Sequence, residues 1–491
     1  MLMVISLAGA SVLMSVSTRY NYTQKAIGWD EALSAAEAGA DYALANCRRM
    51  LSTSASTPWT GWQKYSGAYH WTPVSSPAEG NAQLAAGNTL IYNLPSDAHL
   101  FSSGEGSTEF WYHVEVDAPA SLVVNGNQWY RIRSTGYAAL PGLARAGNDT
   151  SVGAKTHNDL LRKMDLRNDH FILRYGDYAH PPGSVVSVVP QATRRIEVIA
   201  RPTTVFSLAA FVAQTSGPAP NLNLIDSFNS QDTVNYPNGV YTSAPRNAST
   251  GVGSKGSVYV NSPIAALSTT VYGNVSTNYG TLSQSSNIAG EVDNQDTRTV
   301  PTVQTPSWAA SVVSAPSTTL VAGPPSSPAY RSWSSMNNLT VTLPPGYTSG
   351  VANVYVSGNV TGGITVASGV TLKVWFAGNL SMESRNIANQ NNNAAFLQLY
   401  GITPPAGQTQ SVTLSDDIAS ELLVGPPGQR YFALDCPGHD VTISANPDLC
   451  GSIVARSITN TGSANLHYDE ALANVGTVVD FKRASWVEDE R

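Results

Sequence analysis

Residues 1–18 carry no charged side chain, and Arg19 is the first charge in the chain. A run of that length is just long enough to cross much of a bilayer. A secretory signal would have a basic stretch before it and a small-residue cleavage site after it, and neither is evident. The apolar pattern then continues as a one-sided helix. Trp29, Leu33, Ala36, Ala40, Ala43, Leu44 and Cys47 recur mostly at spacings of three and four. A single helix of about fifty residues would be about 75 Å long. Such a helix suits a subunit that buries its first half in lipid or among neighbours and packs a head on its second half. The residues assigned to that membrane or filament-core role are Met1, Leu2, Val4, Ile5, Leu7, Val12, Leu13 and Val16.

The remaining chain must form a large head. At 491 residues it exceeds one core, so two or three units are expected. Charged residues make up 12%, about half the ordinary share of about 25%. An exported β-rich protein can solvate its surface with Ser, Thr, Asn and Gln instead. The net charge is −7 and the basic residues are scattered, which makes nucleic acid a poor partner, and none is expected. Three cysteines make no disulfide framework. Cys436 and Cys450 are near enough in sequence to meet across neighbouring strands in an oxidising compartment, and a bond between them or two free thiols stand as equal alternatives. Cys47 reads as a small buried apolar group.

In residues 53–201, Phe110–Asp117 alternates, with Trp111, His113 and Glu115 on one face and Tyr112, Val114 and Val116 on the other. A second strand spans Trp129–Tyr137, and Asn125-Gly126 supplies turn positions between the two. A third spans Thr193–Arg201, ended by Pro202. The insertion at 138–190 contains a charged cluster over 163–174, which reads as a solvated face.

The segment Asp30-Glu-Ala-Leu-Ser-Ala-Ala-Glu-Ala-Gly-Ala-Asp-Tyr-Ala-Leu resembles the "A-A-E-A-G-x-x-x-A-L" stretch of the PilX-type N-terminal domain of type IV pilus assembly proteins. The order of Tyr130-Arg-Ile-Arg-Ser-Thr-Gly and then Arg194-Arg-Ile-Glu-Val is similar to the antiparallel sheet of such pilin-like proteins. The family's cleavage junction and its glutamate at the fifth residue do not appear, and Ile5 stands at that position.

After Arg201 the sequence turns rich in Ser, Thr, Asn, Gly and Val. Units such as Val354-Tyr-Val-Ser-Gly-Asn-Val and Lys373-Val-Trp-Phe-Ala-Gly-Asn-Leu end their β-formers on Gly or Asn. Units of this kind cannot bury an apolar face alone, so they predict stacked rungs, with a β-sandwich as the rival. Residues 297–348 are Pro-rich and predict a loop, linker or strand-poor excursion. Asp435–Leu472, with Val441-Thr-Ile-Ser-Ala-Asn, Gly451-Ser-Ile-Val-Ala-Arg-Ser-Ile-Thr and His467-Tyr-Asp-Glu-Ala-Leu, resembles the C-terminal β-solenoid region of PilX-type proteins.

Catalytic signals are thin. Asp416, Asp417 and Glu421 cluster, as do Asp293 and Asp296, but neighbouring acids in sequence do not make an acid–base pair in a cleft. Asp293-Asn-Gln-Asp296 lacks the ligand spacing of a Ca²⁺ loop. His467 beside Asp469 and Glu470 is no metal set and reads as closing the last rung with hydrogen bonds. No catalytic, cofactor or metal residue is assigned.

The expected fold is mainly β with one long N-terminal α-helix, a pilin-like α+β domain followed by a β-solenoid (parallel β-helix). The expected divisions are a helix at 1–52, an antiparallel sheet domain at 53–201 and a solenoid head at 202–491. The resemblance implies a non-catalytic, minor pilin-like structural or adhesive subunit of a pilus. Its partners would be other pilins and their assembly machinery, the inner membrane before assembly, and a glycan or cell-surface ligand. The head would be periplasmic or extracellular. The rival readings are a membrane-anchored carbohydrate-active β-helix enzyme and a self-assembling surface-matrix protein.

Overall fold

The computed structural model describes residues 2–51, 62–66, 73–77, 88–92, 110–124, 127–139, 191–215, 219–242, 252–296, 298, 302–383, 386–405, 407–415, 429–444 and 446–489. Among the described residues the chain is mainly β, with one α-helix over Leu2–Arg49. It divides into two units, residues 1–202 with 481–491, and residues 203–480.

The first unit places the helix on a seven-stranded sheet. The strand order is Pro73–Pro77, Trp62–Ser66, Asn88–Tyr92, Phe110–Asp117, Tyr130–Ala139, Gln191–Thr204 and Val478–Asp489. The pairings from Phe110–Asp117 to Tyr130–Ala139 and on to Gln191–Thr204 are antiparallel. Tyr112, Val114 and Val116 are buried, as the alternation predicts. Val124 pairs with Asn127 across the expected turn, whose Asn125 and Gly126 lie outside the described residues. The third strand runs two residues past Pro202. Its ladder to Tyr130–Ala139 ends at Ala200, so proline loses no hydrogen bond on that side.

The helix meets this sheet through small residues. Ala32, Ala35, Ala36, Ala40, Ala43, Leu44 and Cys47 are buried, and Gly28 and Gly39 lie on the same face. A Cβ on Gly136 would stand 1.9 Å from the Ala32 carbonyl oxygen, so only glycine lets the helix backbone rest on that strand. Trp29, expected on this face, is instead exposed, and the Arg194 guanidinium lies 5.5 Å from its ring centroid. A bulky indole cannot fit where the packing distance is set by Gly and Ala.

The C-terminal strand corrects the expected boundary at 491, because Val478–Asp489 is the sheet's edge strand and not a rung of the second unit. Phe481 packs edge-on against Tyr130 at 5.2 Å and accepts a hydrogen bond on its carbonyl from Arg48 Nε. Arg194 pairs with Glu488 at 2.8 Å.

The second unit is one large parallel, β-helix-like sheet of nineteen strands. Rungs such as Gly350–Val356 then Val360–Val366 stack in register on Val370–Phe376 then Leu380–Glu383. Val354, Val356, Val374, Phe376, Leu399 and Leu434 point into the shared core. The recurring Gly-Asn forms the corner between successive strands of a rung. Asn359 Oδ1 accepts from the Asn379 amide at 2.9 Å, and Asn379 Oδ1 accepts from the Ser411 amide at 2.8 Å. A Cβ on Gly378 would stand 2.6 Å from the Gly358 carbonyl oxygen, so the corners can stack only without side chains.

The stack is not built in sequence order. From Ala210–Val212 the ladder runs outward to Val258–Val260, Val275–Thr277 and Val292–Asp293. In the other direction Ala210–Val212 pairs with Ile453–Ala455, the last turn of a run that begins at Thr319–Val321. A strap over residues 298 and 302–313 joins the two ends. Arg298 donates from its amide to the Tyr259 hydroxyl at 3.1 Å, and Val303 exchanges two hydrogen bonds with Thr403. Trp308 then packs on Trp375 and Tyr330, and Val313 bridges to Ser332. Tyr259 and Ser332 lie seven strand spacings apart, about 34 Å, which fifteen residues span easily at about 3.3 Å each. Running across the strands, the strap needs no ladder, which is why prolines suit it. The strand-poor excursion is therefore shorter than 297–348, since Thr319–Val321, Ala329–Trp333 and Met336–Thr342 are rungs.

Candidate functional site

Among the described residues, the longest run of exposed large apolar side chains lies on the first half of the helix. Val12, Leu13, Met14 and Val16 are 62%, 75%, 74% and 62% exposed, and Tyr20, Tyr22 and Ile27 follow them. At about 100° per residue, Val12, Leu13 and Met14 alone cover more than half of the circumference. Thr18 and Thr23 turn their hydroxyls back to the Met14 and Arg19 carbonyls, at 2.7 and 3.0 Å. Those hydroxyls are therefore spent within the helix rather than offered outward. Among the described residues no helix is long and apolar enough to cross a membrane. Of the residues assigned to the role from sequence, Val12, Leu13 and Val16 lie on this surface. Met1 is outside the described residues, as are the side chains of Leu2, Val4, Ile5 and Leu7. Met14 was missed, although it continues the same apolar run.

The cysteine alternative resolves to free thiols. Cys436 and Cys450 are both free and buried. Their strands are neighbours, but the register sets Cys436 opposite Ala455 and Cys450 opposite Tyr431. Five positions separate the thiols, about 16 Å along the strand, and an odd offset puts them on opposite faces of the sheet. A disulfide requires Cα atoms within about 7 Å. Cys436 sits in the main core, and Cys450 sits in a separate cluster with Phe228, Tyr236, Tyr241 and Tyr431. Burial raises both thiols, which makes them poor nucleophiles.

Beside Cys450 lies a dense group of polar side chains. His467 Nδ1 is 2.5 Å from Asp226 Oδ1, and its Nε2 is 3.5 Å from Asp448 Oδ1. Tyr241 stacks on the imidazole at 3.7 Å and donates its hydroxyl to Asp226 Oδ2 at 2.7 Å. Burial alone would lower the pKa of His467, but the two carboxylates outweigh it and hold the imidazole above its ordinary value. Asp469 accepts from the amides of Ser230, Ala394 and Ala471, each at 3.1 Å. Glu470 receives Lys255 at 2.6 Å and the Ser227 hydroxyl at 2.9 Å. Asp226, His467 and Asp469 are all buried, and the group ties neighbouring strands together.

Of the acidic candidates, the described pair Asp293 and Asp296 is engaged locally. Asp293 caps its own turn by accepting from the Gln295 amide at 2.9 Å, and Asp296 is paired with Arg298 at 2.6 Å. Asp416, Asp417 and Glu421, like the charged cluster over 163–174, lie outside the described residues. No group of three or more His, Cys, Asp or Glu placed to hold a metal occurs among the described residues.

A family model described as a domain of unknown function, DUF7305, matches residues 345–475, which fall within the parallel stack. No curated protein matches the chain. Among solved structures, the crystal structure of the competence-associated pilin ComZ from Thermus thermophilus is similar at 12% identity and a TM-score of 0.23, over 94% of this chain and 97% of that one.

Proposed function

We propose that the chain is a pilus-associated, minor pilin-like surface subunit, structural or adhesive and non-catalytic, that assembles through the first half of its N-terminal helix. The observation that carries this reading is the solvent-facing apolar run Val12, Leu13, Met14 and Val16. Leaving such a run in water is costly, at roughly 1.5–3 kcal/mol per large apolar side chain, so it calls for a cover of lipid or sister helices. The second half of the same helix is fully used within the first unit, where Ala32, Ala36 and Ala40 are buried. That division matches the resemblance of residues 30–44 to PilX-type proteins. Partners on this reading are other pilins and their assembly machinery, with the inner membrane as the station before assembly. The head stands outside the cell, where its low charge and its Ser, Thr and Asn surface suit contact with a glycan or another cell.

The test is co-fractionation. Cells expressing the full chain should yield it in the sheared-filament fraction, and Leu13→Lys with Met14→Lys should remove it while leaving the head folded. Recovery of the double variant in filaments at the wild-type level would overturn the reading.

A further inference from the structure

The two runs of rungs in residues 203–480 meet at a seam with no peptide bond across it. On one side are Ala210–Val212 and Leu224–Phe228, and on the other Asp448–Asn460 and Asn465–Asp469. Backbone pairing joins Leu224 through Phe228 to Asn465 through Asp469, and several side chains cross it as well. The Ser452 hydroxyl donates to the Leu208 carbonyl at 2.6 Å, Asn221 and the Asn460 backbone exchange bonds at 2.7 and 2.8 Å, and Asn223 donates to Asn465 at 2.8 Å. Most of these contacts are neutral and indifferent to pH.

The exception is the group around His467. Asp226, from the first side, is 1% exposed and faces one ring nitrogen, while Asp448, from the second side, faces the other. An imidazolium has an N–H for each carboxylate, whereas a neutral ring has only one. Losing the proton leaves one acid against a lone pair, and it does so in a site where Asp226 has little access to water. The other titratable groups around the ring are Tyr241, whose hydroxyl already serves Asp226, and Cys450, the register neighbour of His467. Asp469 lies two residues along the strand and is satisfied by three amides, Tyr431 adjoins Cys450 from the strand Gln429–Ile443, and Glu470 is neutralised by Lys255. None of them supplies a replacement cation.

We propose that Asp226, His467 and Asp448 form a pH-operated clasp across this seam, closed while the imidazole carries its proton and loosened when the proton leaves. The direction follows from linkage. A histidine whose folded pKa is raised contributes fully below its unfolded value, about 6.5, and the contribution is lost as pH rises through the folded value. Asp448 is held below the usual carboxylate range, mainly by the His467 imidazole 3.5 Å away, so its share is present above about 3.9 and is lost as pH falls through its own lower value. The clasp is fully set in weakly acidic surroundings. This holds whether or not the helix assembles.

Amide hydrogen exchange of the full chain, corrected for intrinsic rates, reads the seam directly. In an Asp435→Asn background, which removes the buried carboxyl opposite Val454 that also titrates in this range, protection of 210–212, 224–228 and 453–455 should fall at least tenfold between pH 5.5 and 8.5, while the interior rungs 350–376 stay constant. His467→Gln should give a flat profile, and Asp448→Asn, on the side of the clasp nearer to solvent, should move the fall to lower pH. Equal profiles for seam and interior, a fall that survives in His467→Gln, or an unmoved midpoint in Asp448→Asn would each overturn the proposal.

Discussion

Gly136 lies directly beneath the carbonyl of Ala32, so close that a Cβ would stand 1.9 Å from that oxygen and 2.4 Å from the Ala36 nitrogen. Both neighbours are backbone atoms and cannot swing aside. Gly136→Val should therefore lift the helix off the sheet and destabilise the first unit by about 1–3 kcal/mol. Circular dichroism melting should show a lower Tm for the first unit, with the parallel stack unaffected. An unchanged Tm would mean that the helix does not seat here.

Asp435 is fully buried between Tyr400 and Val454 in the outer column of the stack, and desolvation pushes its carboxyl up to about 7. Because the folded value exceeds the unfolded one, the native state is favoured below about pH 4 and loses stability as pH rises toward 7. Asp435→Asn removes the group that must ionise. Denaturant titrations should find the variant more stable than the wild type at pH 8 by a few kcal/mol and close to it at pH 4. A difference independent of pH would show that the carboxyl does not titrate in this range.

Trp308 fastens the strap to the stack, with ring centroids 5.0 Å from Tyr330 and 5.8 Å from Trp375. Trp308→Ala deletes two aromatic pairs worth about 0.5–1.5 kcal/mol each, beyond the area they bury. Limited proteolysis should then cut near residues 302–313 in the variant while the wild type resists. Equal resistance would place the strap's anchorage elsewhere, at Arg298 and Thr403.

All three cysteines are free and buried, and burial also raises the Cys47 thiol to about 12. Thiol titration of protein purified without reductant should give three equivalents in denaturant and almost none in the folded state. Reductant should leave the Tm unchanged. Two missing equivalents would reinstate the Cys436–Cys450 bond that the strand register denies.

The helix, the alternation in Phe110–Asp117 and the rung pattern were legible because each is a local periodicity. Misplacement of Trp29 came from ranking residues by hydrophobicity, when the face was set by the approach distance that Gly28, Ala32, Ala36 and Gly39 allow. The seam between Ala210 and Ile453 joins positions more than two hundred residues apart, and no local pattern encodes it. The same is true of the return of Val478–Asp489 to the first sheet, which depends on partners such as Tyr130 and Arg194 far away in sequence. His467 was visible as a hydrogen-bonding residue at the end of the stack, but Asp226, Tyr241 and Asp448 could not be joined to it before the fold was known. Prolines in the strap drew the excursion too long, because the strands after residue 318 tolerate Pro only in the links between them.

The central claim is that the apolar run around Leu13 is covered in the working assembly. Leu13→Cys gives a single reporter against a background of three buried thiols, and a membrane-impermeant maleimide reads its exposure. On intact cells and sheared filaments the account predicts protection at position 13, with full labelling once detergent releases the monomer. Equal labelling in both states would contradict it.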